Sequence, residues 1–135
     1  MAEDQILNLP FKLFFLNAST GLVLADLRGK ILIANPAFAK LFGHDSQDIC
    51  HRDFLSFIPG DKVKDVNNML DRAVMGAPQH CHKETPFLRK DGKSLSIMLG
   101  AALVQDAMDK PLCIMITLAE IIGYQDRRNN RKPLL

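Results

Sequence analysis

The stretch Gly21 to Gly43, GLVLADLRGKILIANPAFAKLFG, constrains the chain more than any other. Leu22-Val23-Leu24-Ala25 is a short apolar run, Asp26-Leu27-Arg28-Gly29 supplies polar turn chemistry ending in glycine, and Ile31-Leu32-Ile33-Ala34 is a second, β-branched run. Two such runs around a tight turn predict a β-hairpin. Asn35 can fold its side-chain oxygen onto the free N–H groups of a helix start, and Pro36 carries the φ wanted at the first helical position. Phe38, Leu41 and Phe42 then recur at helical spacing, and Gly43 is placed to take the left-handed conformation that stops a helix.

With 135 residues, the chain is expected to form one domain that buries a core without disulfides or metal. A hydrophobic share of 47% and the absence of any apolar run near ~20 residues argue for a soluble protein. The acidic start, Met1-Ala2-Glu3-Asp4-Gln5, lacks the basic region of a signal peptide, so a cytoplasmic location is expected. A net charge of +2 is too small for a broad nucleic-acid-binding field. The three cysteines, Cys50, Cys81 and Cys113, are odd in number and widely spaced, which predicts free thiols in a reducing compartment.

From Gln5 to Asn17 the chain is strongly apolar but interrupted by Pro10, which predicts a short cap up to Asn8 and a turn of helix from Pro10 onward. After helix 36–42, Asp45 or Ser46 can cap a turn ending near Cys50, and Asp53 can cap another holding Phe54, Leu55, Phe57 and Ile58, closed by Pro59-Gly60. From Asp61, Val63, Val66, Met69, Leu70, Ala73 and Val74 mark one face of an amphipathic helix that Gly76 and Pro78 end. A strand from His80 to Lys90 contains Pro86, which implies an edge, a bulge or a late start to the regular part. Asp91-Gly92 makes a tight hairpin into Ser94–Gln105, and Asp106 to Lys110 turns the chain into a last strand, Pro111 to Ala119. That last strand is apolar on both sides, so its sheet must be covered on both faces. Beyond Gly123 the polar, basic run Arg127-Arg128-Asn129-Asn130-Arg131-Lys132 reads as a solvated tail rather than a nucleic-acid contact.

Catalytic and metal chemistry finds little footing. His80-Cys81-His82 places two imidazoles on one side of a strand, but no further ligand follows at suitable spacing, so a plain strand edge is expected. No glycine-rich phosphate loop, Ser-His-Asp grouping or paired inward carboxylates occurs. Asp26, Asp91 and Glu120 have structural explanations: two turns and a strand end.

The ordered set, Asp26-x-x-Gly29, Ile31-Leu32-x-x-Asn35-Pro36-Ala37-Phe38, the Leu41-Phe42-Gly43 stop, Pro59-Gly60-Asp61 before a helix, Asp91-Gly92 between strands and the exit Glu120-Ile121-Ile122, resembles a PAS domain across residues 11 to 122. The resemblance implies an α+β fold: a five-stranded antiparallel sheet in the order 2-1-5-4-3, short helices on one face and an N-terminal cap on the other. Residues 1–17 would be the cap and dimerisation segment, 18–122 the domain, and 123–135 a tail or linker. It further implies a non-enzymatic sensory or interaction module, a homodimer, and an output kinase, cyclase or transcription regulator. Phe42, Phe54, Ile58, Val66, Met69, Leu70 and Leu99 would line an apolar cavity that admits a small ligand or stays filled by these side chains. Leu9, Phe11, Phe14, Phe15 and Met115 would form the cap and dimer contact.

The alternative in the same family is a haem or flavin sensor. The long helix has no histidine for haem iron, although His51 in a preceding turn is a distant candidate. The run Ile49-Cys50-His51-Arg52-Asp53-Phe54-Leu55 departs from the flavin-adduct motif of the light-sensing group, and there is no tryptophan to lie against a flavin ring. Neither cofactor is expected. Glu120 and Ile122 replace the Asp and Thr of the family's exit signature.

Overall fold

The structure, a computed structural model, describes residues 9–76 and 81–121. Its elements are helix α1 (Leu9–Asn17), strands β1 (Gly21–Ala25) and β2 (Ile31–Ala34), helices α2 (Pro36–Phe42) and α3 (Ser46–Ile49), 3-10 turns at Phe54–Phe57 and Gly60–Lys62, helix α4 (Val63–Val74), and strands β3 (Cys81–Leu88), β4 (Ser94–Gln105) and β5 (Pro111–Glu120). The five strands form one antiparallel sheet in the order β2-β1-β5-β4-β3, the expected architecture.

Local chemistry fixes the hairpins. Asp26 Oδ1 accepts the N–H groups of Arg28 and Lys30, both at 2.9 Å, and Asp106 repeats the arrangement with Met108 and Lys110 between β4 and β5. Asp91 Oδ1 accepts from the Lys93 N–H, and Gly92 takes a positive φ of 88°. Pro86, opposite Ser96, sits on the edge strand, where its missing donor costs the sheet nothing.

Helices α2 and α4 cover one face. Asn35 caps α2 as anticipated, Pro36 opens it, and Gly43 closes it at φ 75°. The long helix differs from expectation at its start: Gly60–Lys62 form a 3-10 turn and the α-helix begins only at Val63. Lys62 offers no capping oxygen, so the first turn tightens instead, with Asp65 and Arg72 complementing the helix dipole. Its buried stripe is Val66, Met69, Leu70 and Ala73. The three larger side chains each contribute about 1.5–3 kcal/mol on removal from water.

Helix α1 lies on the opposite face. Phe15 is fully buried there with Leu22, Leu24 and Cys113, and Phe11 and Met115 pack against the same cluster. Phe14 turns away from the sheet, 60% exposed, as does Leu13 at 55%. The cap therefore shields β1 and the adjoining part of β5, while Met98, Ala102 and Ala119 on the same face remain exposed. Within the described residues the cap covers this side only in part; the cover expected from the sequence is the N-terminal segment, a partner subunit or both.

Candidate functional site

The register determines which side chains meet. Ile97, Leu99, Ile114, Ile116 and Leu118 point to the helix-covered face and are all fully buried. Against them lie Phe42, Phe54, Ile58, Val66, Met69 and Leu70, so all seven residues anticipated for the cavity fall in one cluster. Three residues absent from that set complete its centre: Phe38, Phe57 and Phe87. Phe42 stands 4.8 Å from Phe38 and 5.1 Å from Phe87 between ring centres, and Phe87 is 5.5 Å from Phe54. Phe57 meets Phe38 edge-on at 5.4 Å. Phe87 shares a face with buried Thr85 on the edge strand, with Pro86 between them on the other face.

A buried polar knot joins this core to the sheet. Asn35 is fully buried; its Oδ1 accepts from the N–H groups of Leu22 at 2.8 Å and Phe38 at 3.0 Å, while Nδ2 donates to the Thr20 carbonyl at 2.9 Å. Strand β1 and helix α2 are thereby locked together. Gly21 permits it, since a Cβ there would stand 3.2 Å from the Leu118 carbonyl oxygen and 3.5 Å from the Phe38 Cα.

The outer rim of the core is cationic. The Arg52 guanidinium lies 4.3 Å above the Phe57 ring centre and donates to the Ser56 hydroxyl, while His44 meets the same ring edge-on at 5.3 Å. Partial burial, then the nearby charges of Arg52 and Lys90, lower the His44 pKa; Asp48 and Asp45 oppose the shift. The Arg89 guanidinium donates to the Leu41 carbonyl, and the Lys90 N–H to that of Phe42, so the β3–β4 hairpin closes over the end of α2. The Asp91 pKa is lowered, first by the Lys93 N–H and then by Arg89, whose Nε lies 3.3 Å from Oδ2.

A separate groove of about 310 Å³ opens where β5 ends, lined by Ser19, Thr20, Ala37, Leu41, Leu118, Ala119 and Glu120. Of the other anticipated residues, the Leu9 side chain, His80 and the tail lie outside what is described, and His82 is exposed on β3. No group of three or more metal-ligating side chains occurs among the described residues. No described helix is long and apolar enough to cross a membrane.

These features define a small α+β domain: a five-stranded antiparallel sheet with an aromatic core on one face and a partly capped apolar surface on the other. The model of the PAS fold matches residues 11–121, and the chain belongs to that family. It is 24% identical over 111 residues to the sensor histidine kinase TmoS of Ectopseudomonas mendocina, a match covering 82% of this chain and 11% of the kinase. Among solved structures, a PAS domain from Colwellia psychrerythraea superposes with a TM-score of 0.74 at 16% identity, covering 82% of this chain and 92% of that one. The LOV protein of Rhodobacter sphaeroides gives 0.76 at 17% identity, covering 94% and 72%.

Proposed function

We propose that this PAS domain is a sensory and interaction module that relays its state to an output protein or domain through a homodimer, without catalysis of its own. A sensor kinase is the output class favoured by the relative in which a similar segment occurs; a cyclase or transcription regulator would be driven the same way. The observation that carries the reading is the half-covered sheet face. Helix α1 is apolar nearly all round, yet Leu13, Phe14 and Leu16 face water, beside a face where Met98, Ala102 and Ala119 are also exposed. A helix of that composition normally has both sides shielded. A second copy would supply apolar cover of the same composition for Leu13, Phe14 and Met98.

The input, on this reading, is a small apolar ligand or a partner that repacks the cluster around Phe42, Phe54, Ile58, Val66, Met69, Leu70 and Leu99. Repacking shifts β5 and hence the dimer face, a coupling of about 1–3 kcal/mol. Native mass spectrometry tests both parts: a dimer and a retained small molecule are expected. A wild-type monomer at micromolar concentration, or a dimer that persists in both Phe14→Glu and Met98→Glu, would refute the proposed dimer face. The absorption spectrum of purified protein is expected to show neither a haem nor a flavin band.

A further inference from the structure

The two outer edges of the sheet end in different ways. Along β2 the chain from His51 to Phe54 lies back against the hairpin: the Ile31 N–H donates to the Arg52 carbonyl, the His51 N–H to the Ile31 carbonyl and the Phe54 N–H to the Gly29 carbonyl, each at 2.8 Å. His51 takes a positive φ of 71° to make that return, and Lys30 and Asp53 bridge within it, so the start of β2 is already paired. Strand β3 forms the other edge. It is eight residues long, with β4 on one side and no further strand among the described residues on the other.

The register fixes which main-chain groups of β3 face outward. The Ser96 carbonyl accepts the Ile121 N–H at 2.9 Å, so Ser96 turns its main chain towards β5 and away from β3. Pro86 lies opposite Ser96. Opposed residues of an antiparallel ladder exchange both bonds or neither, so Pro86 directs its nitrogen and its carbonyl away from the sheet. Alternation turns Glu84 and Leu88 the same way, while Thr85 and Phe87 face inward to Ile97 and Leu95. The proline thus stands in the outward row, between Glu84 and Leu88, where an added strand would need a donor. It supplies none, and its ring fills the space an incoming carbonyl would occupy.

We propose that Pro86 is an assembly gate: it keeps β3 from pairing edge to edge with the β3 of a second copy. Identical bare edges are ready partners for one another, since a twofold axis places them antiparallel. Lys83 and Glu84 are both exposed there with opposite charges, so charge does not hold two copies apart and the proline must. With β2 strapped and β3 gated, contact between copies is left to the sheet face. On the reading given above, this confines the homodimer to the surface around Phe14 and Met98. The gate itself rests on the fold and not on that dimer.

The test is the assembly state of Pro86→Val and Pro86→Thr in the full chain, read beside the wild type by sedimentation velocity at tens of micromolar, with circular dichroism to check the fold. Both substitutes are strand formers that restore the missing donor. Each variant is expected to form species of at least twice the wild-type mass, and its Glu84 amide proton to exchange about tenfold more slowly than in the wild type. Adding Phe14→Glu should leave this extra association in place, because edge pairing does not use the face. Wild-type mass in both variants with an unprotected Glu84 amide, or extra association that Phe14→Glu abolishes, would overturn the gate. A monomeric wild type would refute the face-to-face homodimer alone, since the gate is read from variant against wild type.

Discussion

Leu22 and Asn35 are joined twice: the Leu22 N–H donates to the Asn35 side-chain oxygen at 2.8 Å, and the Asn35 N–H donates to the Leu22 carbonyl at 2.9 Å. The side chain thus acts as one more rung of the β1–β2 ladder while its oxygen also caps α2. Replacing Asn35 by alanine strands the buried Leu22 N–H, removes the bond to the part-buried Thr20 carbonyl and uncaps the helix. Each buried orphan costs about 1–3 kcal/mol, and the cap about 1 kcal/mol. Asn35→Ala is expected to lower the urea-unfolding free energy by about 3–5 kcal/mol, more than Asp53→Ala, whose single cap bond is exposed to solvent. Equal, small losses for the two would show that the knot contributes nothing beyond a cap.

Phe42 touches Phe38, Phe57 and Phe87 at once. Phe42→Ala removes a ring from the middle of the cluster and should destabilise the domain by about 3–5 kcal/mol. The hole is walled by aromatic and aliphatic groups, so it should remain dry and accept benzene. Benzene-saturated buffer is expected to raise the Tm of the variant but not of the wild type. An unchanged variant Tm would mean that the cluster collapses, and would weaken the case for a ligand entering the core.

The caps and turns were legible because each is written in one or two neighbouring residues: Asn35-Pro36, Gly43, Asp53 ahead of Phe54, Asp91-Gly92. The strand positions followed from alternation and the sheet order from family resemblance alone, since nothing in β1 itself says that β5 rather than β4 lies beside it. The bond between Asn35 and Leu22 spans thirteen positions and depends on the hairpin having already closed. Helix α1 defeated the pattern for a different reason: with apolar residues on all sides, periodicity cannot choose between Phe14 and Phe15. Phe87 was hidden by its neighbour Pro86. The groove at the end of β5 is assembled from three separate stretches of chain, so no single window contains it.

His44 gives a pH dependence with a definite sign. Its folded-state pKa lies below the ordinary 6.5, because burial and the charges of Arg52 and Lys90 disfavour the imidazolium. The unfolded chain therefore binds the proton more readily, and stability falls as pH drops through about 6.5. His44→Gln is expected to flatten the wild-type curve between about pH 7.5 and pH 5. Urea titrations of the two proteins at both ends of that range measure it. A wild-type curve no steeper than the variant's would place the histidine free in solvent.

At Gly100, on the partly covered face, a Cβ would stand 2.6 Å from the Thr117 hydroxyl oxygen and 3.0 Å from the His82 ring. Neither contact is tolerable without movement. Gly100→Ala should cost about 1–3 kcal/mol through overpacking, and Thr117→Ala in the same chain should recover part of that loss. A double-mutant cycle on unfolding free energies gives the coupling. Strict additivity would show that the strand, rather than Thr117, yields to the new methyl.

Cys113 is buried between α1 and the sheet, and burial pushes its thiol up to about 11, whereas Cys50 is partly exposed. The thiolate is the reactive form, so at pH 8 a disulfide reagent should modify Cys50 promptly and Cys113 only as the domain opens. In a chain with Cys81→Ser, a fast and a slow phase of one thiol each are expected, the slow one accelerated by mild urea. Because the folded value exceeds the ordinary 9.0, the stability tied to this thiol is intact below about pH 9 and is lost as pH rises towards 11. Cys113→Ala should abolish both the slow phase and that alkaline loss. Two fast thiols in the unperturbed protein would mean that α1 leaves the sheet readily, and that the cap is a mobile cover rather than a fixed one.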